Sequence, residues 1–262
     1  MRNSPNFSLA DEVIVRALEA GAFPSACLLV GRDERVLYRR AYGRLSIEDD
    51  APLTNEHTRY DLASVTKPLV VGMLTLRAME AGKLCLWDRL GTFLDAPPDK
   101  RDITIAQILT HTAGFPTGLH LWELSDQPEN SAETILNAPL VSPPGARVRY
   151  CCAGFILLGQ LLECLYGMGL NELAMRNHTP GMAQGRGLSF YLPAYDNGYT
   201  GDLFPRETVG HTGFTGTSFA LDPTSGLYVI FLTNRICPSR DSLEIYRVRR
   251  LLHNAVYAAA SR

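Results

Sequence analysis

No run in this chain approaches the about 18 consecutive apolar residues that a membrane-spanning helix requires, so no such span is expected. No CxxC pair occurs among the six cysteines, which argues against a zinc ribbon or a thioredoxin-type redox motif. Cys27, Cys85 and Cys164 lie in apolar runs, where a thiol behaves as a small hydrophobe. That setting favours reduced thiols and hence the cytoplasm. Charge of one sign is also missing: the formal net charge is -2 and both signs are spread along the chain. No basic stripe marks a nucleic-acid surface. The densest basic stretch, Arg240, Arg247, Arg249 and Arg250, reads as a solvated helix face. Repeats and low-complexity linkers are absent. Met1-Arg2-Asn3-Ser4-Pro5 leads directly into an amphipathic pattern, with no charged-then-apolar signal segment.

What is present is ordinary for a globular chain. The 262 residues are 46% hydrophobic and 20% charged, enough to bury a real core in one large domain or two interleaved lobes. Ser8 can cap a first helix. Ala26 to Val30 and Val36 to Tyr42 read as a hairpin around Arg32-Asp33-Glu34. The middle is mostly helix and loop: Lys67 to Ala81, Ile103 to Leu109, and Ala153 to Tyr166 closed by Gly167. Ser218 to Leu221 and Leu227 to Thr233 are strand-like, and Asp241 to Ala260 is a final helix. The expected fold class is α+β: an antiparallel sheet from both termini, flanked by terminal helices, with a mostly helical lobe inserted. Residues 1–50 and 205–262 would form the sheet lobe and 51–204 the helical lobe, with the active site between them.

Three short segments can carry chemistry. Ser64-Val65-Thr66-Lys67 stands at the start of a helical pattern. A spacing of three puts Ser64 and Lys67 on one helical face. A serine hydroxyl needs a neighbouring base to act as a nucleophile. A lysine in a dry pocket or near other cations can lose its proton and serve. Tyr150-Cys151-Cys152 follows the Pro143-Pro144-Gly145 loop, and a phenol beside an ammonium group can serve as general base and acid. His211-Thr212-Gly213 precedes a strand-like run. His211 can hold a substrate carboxylate or polarise Tyr150. Gly213 lets the backbone approach a ligand, and the Phe214 N–H can pair with that of Ser64 as an oxyanion hole. Each segment alone is commonplace: a capped helix, a core aromatic, a turn. Their order is what carries information.

In that order the chain resembles the serine β-lactamase and penicillin-binding superfamily, known by its Ser-x-x-Lys and Lys-Thr-Gly motifs. Asp61-Leu62-Ala63-Ser64-Val65-Thr66-Lys67-Pro68, Leu109-Thr110-His111-Thr112-Ala113-Gly114-Phe115, Phe155-Ile156-Leu157-Leu158-Gly159 and Gly210-His211-Thr212-Gly213-Phe214-Thr215-Gly216-Thr217 carry the likeness. It extends from about residue 8 to 255 and is to the class C-like branch, which uses Tyr-x-Asn. The resemblance implies an acyl-enzyme on Ser64, with Lys67 and Tyr150 handling protons. It implies Ser64 and Phe214 as the oxyanion hole, and His211, Thr212, Gly213 and Cys152 as substrate-binding residues. No metal or other cofactor is needed, and the partner is a small-molecule ester or amide rather than nucleic acid or membrane. Oligomeric state is left open.

Three departures bear on function. Cys152 stands where the branch has Asn, and a thiol is a poor substitute for a carboxamide. The stretch from Gly167 to His211 is short for the branch, which implies a reduced helical lobe. His211 replaces a lysine, and imidazole with its ordinary pKa of about 6.5 grips a carboxylate less firmly. The leading expectation is a hydrolase of small esters with slower β-lactam cleavage. A true class C-like β-lactamase or D-amino-acid peptidase, an acyltransferase, and a penicillin-recognising or scaffold protein with little turnover are the alternatives. His111 is expected to hold its loop, Glu163 to play no catalytic part, and Cys151, Cys152, Trp87, Trp122 and Tyr199 to pack.

Overall fold

The computed structural model describes residues 5–119, 121, 130–167 and 199–261. The chain divides into two compact units, residues 1–66 with 190–262, and residues 67–189. The first unit holds β1 (Ser25–Arg32), β2 (Arg35–Gly43), β3 (Val209–Thr212), β4 (Ser218–Leu221) and β5 (Leu227–Thr233). Among the described residues they form one five-stranded sheet in the order β2-β1-β5-β4-β3, antiparallel throughout. Both ends of the chain build it, as the sequence pattern predicts. The β1–β2 hairpin turns at Asp33, whose φ of 52° suits the tight connection.

Period-two alternation fixes which face is buried. Ala26, Leu28 and Val30 of β1 and Leu227, Val229 and Phe231 of β5 are inaccessible to solvent. They join Ala10, Ile14 and Ala17 of α1 (Ser8–Glu19) and Ile245, Val248, Leu252 and Val256 of a C-terminal helix, Glu244–Ala260, in one core. Burying each large side chain contributes about 1.5–3 kcal/mol. The first helix is not capped by its Ser8 hydroxyl. Instead the Asn6 Oδ1 accepts from the Ser8 N–H at 2.9 Å, because Ser8 itself is already helical. Asp11 ties α1 to β2. Its carboxylate accepts from Tyr38 Oη at 2.5 Å, Tyr42 Oη at 2.6 Å and Arg40 Nη1 at 2.7 Å.

The second unit is helical. Lys67–Gly72 is wound as a π-helix that runs into α2 (Met73–Glu80). Thr104 caps α3 (Ile105–Leu109) with a reciprocal Gln107 bond. Ser131–Asn137 forms α4, and α5 (Ala153–Tyr166) ends at Gly167, whose φ of 63° only glycine adopts cheaply. Leu157, Leu158, Leu161 and Leu162 of α5 bury against Ile105, Ile108, Leu109 and Phe115. With its predecessors in place, the C-terminal helix Glu244–Ala260 is α6. Among the described residues no helix is long and apolar enough to cross a membrane.

All six cysteines are free thiols. Cys85, Cys152 and Cys164 are exposed rather than packed, because each falls on the outer side of its segment; Cys151 is the buried one. Trp87, expected to pack, is 76% exposed. Tyr199 does pack, donating to the Phe219 carbonyl at 3.0 Å. Trp122 lies outside the described residues, as do 168–198, on which the expectation of a reduced lobe largely rests.

Candidate active site

In the first unit Ser64 sits in a short 3-10 turn, Ala63–Val65, and not on the helix that Lys67 opens. Only Val65 and Thr66 separate the two residues, and the 3-10 turn runs directly into the π-helix that Lys67 opens. Ala63, directly before the serine, has φ 46°, a left-handed conformation that costs an alanine about 1–2 kcal/mol. The surroundings offset that strain. The Asp61 carboxylate accepts from the Ala63 N–H at 2.8 Å, and the Leu62 carbonyl accepts from the Val65 N–H at 3.0 Å.

The same turn is strapped to the segment after β3. Thr215 Oγ1 donates to the Asp61 carbonyl at 2.7 Å, and Thr217 Oγ1 to the Leu62 carbonyl at 3.3 Å. Gly213 lies against both. A Cβ added there would stand 2.2 Å from Thr217 Oγ1, 2.7 Å from the Leu62 oxygen and 3.5 Å from the Ala63 Cβ. Gly213 thus meets its own chain closely on the side where a Cβ would stand. Its effect is to bring residues 62–64 and 212–214 into one block, so the Ser64 and Phe214 N–H groups belong to the same local structure.

His211 and Thr212 close β3, paired with Phe219 and Ser218. His211 is 3% exposed, and its Nδ1 lies 2.7 Å from the Thr212 carbonyl. A carbonyl can only accept, so Nδ1 carries the proton in the neutral ring. The Phe214 ring is 49% exposed, with Arg235 and Arg240 at 4.6 Å and 5.3 Å from its centroid.

The expectation for the basic C-terminal stretch fails at Arg249. It is 3% exposed, and its guanidinium binds the carbonyls of Gly213, Gly216 and Thr217. The signal was present in the periodicity: Ile245, Val248, Leu252 and Val256 mark the inner face of α6, and position 249 falls on it. Arg235, Asp61 and Thr215 were likewise not singled out. Thr215 bonds the Asp61 carbonyl across 154 positions and Arg235 the Phe214 carbonyl across 21, pairings that no pattern of residue types reveals.

In the second unit Lys67 opens the π-helix with Nζ 5.1 Å from the Tyr150 ring centroid. Burial pushes the Lys67 pKa down. The hydrogen bond and charge of Tyr150 and those of Cys152 outweigh it, so the ammonium is held above the usual lysine range. These contacts favour the ammonium form of Lys67 beside Tyr150. Tyr150 is backed by His111, at 4.6 Å between ring centroids, and His111 also meets Phe155 at 5.0 Å. The His111 Nδ1 accepts from the Cys151 N–H at 3.3 Å, and its carbonyl accepts from the Arg149 N–H at 2.8 Å. That is the loop-holding part expected of it. Burial pushes the Cys151 thiol up, while Cys152, exposed at the N-cap of α5, reaches Lys67.

An antiparallel sheet built from both chain ends and a helical unit between them in sequence, with a Ser-x-x-Lys turn, defines a β-lactamase- or transpeptidase-like protein. The beta-lactamase family model matches residues 10–177 and 171–253. The chain belongs to this family, a family of serine hydrolases. It is similar to the N-acetylmuramyl-L-alanine amidase of Bacillus subtilis (strain 168), 28% identical over 62% of this chain and 41% of that protein. A provisionally named D-alanyl-D-alanine carboxypeptidase of Escherichia coli (strain K12) is 28% identical over 65% of this chain and 44% of that protein. The chain thus spans about two-fifths of the length of the curated relatives it matches. Among solved structures, EstCE1, a hydrolase with promiscuous acyltransferase activity, superposes with a TM-score of 0.73 at 20% identity, covering 95% of this chain and 98% of that one. A penicillin-binding protein homologue from Caulobacter crescentus gives 0.74 at 17% identity, covering 97% of each chain. At those identities the likeness is one of fold.

Proposed function

We propose that the chain is a class C-like serine hydrolase that cleaves small esters through an acyl-enzyme on Ser64. The Ser64 hydroxyl adds to the ester carbonyl as its proton passes to the Tyr150 phenolate, whose charge the Lys67 ammonium balances. The tetrahedral oxyanion is held by the Ser64 and Phe214 N–H groups. Collapse breaks the bond to the leaving alcohol, which Tyr150 protonates. Water, deprotonated by the phenolate left by that step, then releases the acid and restores Ser64. His211, Thr212, Gly213 and Cys152 line the substrate's side of this chemistry.

The observation that carries the reading is the strained Ala63–Ser64 turn strapped beside the Gly213–Phe214 peptide. Backbone strain that the surroundings over-determine is a feature of reactive sites. A plain helix cap would need neither the strain nor the straps. Preference for esters over β-lactams follows from His211, buried and bonded to its own strand where a charged lysine would grip a carboxylate. A second reading, D-amino-acid peptidase, is favoured by the curated relatives named as an amidase and a carboxypeptidase.

Hydrolysis of p-nitrophenyl butyrate, a chromogenic cephalosporin and a D-alanyl-D-alanine peptide, compared in wild type and Ser64→Ala, tests both. Ester turnover that vanishes with Ser64→Ala, with a serine adduct seen by mass spectrometry, supports the first. Peptide turnover exceeding ester turnover replaces it with the second. Stable acylation without turnover points to a penicillin-recognising protein.

A further inference from the structure

Two buried guanidinium groups hold the turn between β3 and β4. Arg249 Nη2 donates to the Gly213 carbonyl at 2.7 Å and to the Thr217 carbonyl at 2.8 Å, and its Nε to the Gly216 carbonyl at 3.0 Å. Arg235, 5% exposed, donates from Nε to the Phe214 carbonyl at 2.7 Å. Among the described residues neither guanidinium forms an ion pair with a carboxylate. Burial, and the charge of Arg235 with it, lowers Arg249 to about 10, which leaves it protonated at neutral pH. Burying a cation without an anion is costly, so the acceptors must offset a large desolvation term.

The Gly213–Phe214 peptide shows what that arrangement achieves. One peptide unit carries the Gly213 carbonyl and the Phe214 N–H, and in a trans peptide the two point in opposite directions. The Gly213 carbonyl also accepts from the Gly216 N–H at 3.1 Å, and the charged guanidinium is the stronger of the two donors that fix where the Phe214 N–H points. Charge-assisted hydrogen bonds are roughly twice as strong as neutral ones. Hydrogen bonds in series also polarise one another, so the N–H at the far end becomes the better donor. The neighbouring peptide plane is fixed in turn by Arg235 on the Phe214 carbonyl.

We propose that Arg249 is a positioning residue for the oxyanion hole: it sets the orientation of the Gly213–Phe214 peptide and strengthens the Phe214 N–H that faces the reacting carbonyl. This rests on the Ser64 acyl-enzyme reading. Its test is Arg249→Lys, which keeps the charge and most of the buried volume but not the forked geometry. Loss of one oxyanion donor lowers kcat by about 10²–10³-fold, and a misdirected one by roughly the lower figure. The expected result is a folded variant with kcat for p-nitrophenyl butyrate reduced about 10²-fold and KM little changed. In infrared difference spectra, the carbonyl band of the Ser64 acyl-enzyme should also move to higher wavenumber, the mark of weaker hydrogen bonding. A merely structural arginine would reduce the folded fraction but leave that band in place. Wild-type kcat, or an unmoved band, overturns the proposal.

A measurement on the wild-type protein covers a variant that does not fold. Labelling with ¹³C-carbonyl glycine and ¹⁵N-phenylalanine selects three peptide units, Gly114–Phe115, Gly154–Phe155 and Gly213–Phe214. The Gly213 carbonyl should resonate downfield of the other two, and a position between them refutes the guanidinium contact. If the wild type forms no adduct on Ser64, the acyl-enzyme reading fails, and the labelling result still decides whether Arg249 orients the peptide.

Discussion

Gly213→Ala is the substitution whose effect the geometry specifies most closely. The new Cβ would lie 2.7 Å from the Leu62 carbonyl oxygen and 2.2 Å from Thr217 Oγ1. Ordinary contact begins near 3.4 Å, so the carbonyl must recede by about 0.7 Å (the difference of the two distances) or the strand end must. Thr217 is fully buried and its hydroxyl bonds Leu62, so it cannot swing aside without losing that bond. Overpacking costs about 1–3 kcal/mol and a lost buried hydrogen bond about 1 kcal/mol more, roughly 2–4 kcal/mol together. At about 2–4 °C per kcal/mol for a chain of this size, the Tm falls by roughly 4–16 °C. The Phe214 N–H moves with the strand end, and kcat should drop by about 10²–10³-fold. Differential scanning calorimetry and ester hydrolysis read the two effects separately. The double variant Gly213→Ala with Thr217→Ala removes the hydroxyl clash but not the one with Leu62. It should regain part of the Tm and little of the kcat, a non-additivity expected of touching residues. Wild-type Tm and kcat in Gly213→Ala would refute the packing of 212–214 on 62–64.

Further expectations concern stability and reactivity. His253 is fully buried, donates from Nδ1 to the Arg249 carbonyl at 2.8 Å, and has its pKa lowered by burial to about 4. The unfolded chain therefore binds the extra proton first, and stability is lost as pH falls from about 6.5 through 4. That loss approaches about 3 kcal/mol in urea titrations and should be missing from His253→Leu. Asp11→Ala leaves Tyr38, Tyr42 and Arg40 without their shared acceptor, so urea unfolding should show a loss of about 2–4 kcal/mol; a loss under 0.5 kcal/mol would mean that water replaces the carboxylate. Iodoacetamide should modify Cys152, Cys85 and Cys164 in the native protein and spare buried Cys151. Alkylation at Cys152, which reaches Lys67, should slow ester hydrolysis, and Cys152→Ala should make the enzyme insensitive to the reagent.

Local pattern was enough to reveal much of this protein. Alternation in β1, β4 and β5 and the glycine stop at Gly167 reproduce the observed elements to within a residue or two, because period and turn chemistry are local properties. The order of Ser64-x-x-Lys67, Tyr150 and His211-Thr212-Gly213 likewise named the family, since it is written in residue types. What local pattern missed shares one physical cause. Ser64 does open a helical run, but the turn there is strained at Ala63 and held by Thr215 and Thr217 from about 150 residues away in sequence. Arg249 was expected in solvent and is buried against main-chain carbonyls of another segment. Residue type decides what a group can do. Whether a lysine is charged, an arginine is buried or a peptide points inward depends on partners that only the folded chain brings within hydrogen-bonding distance.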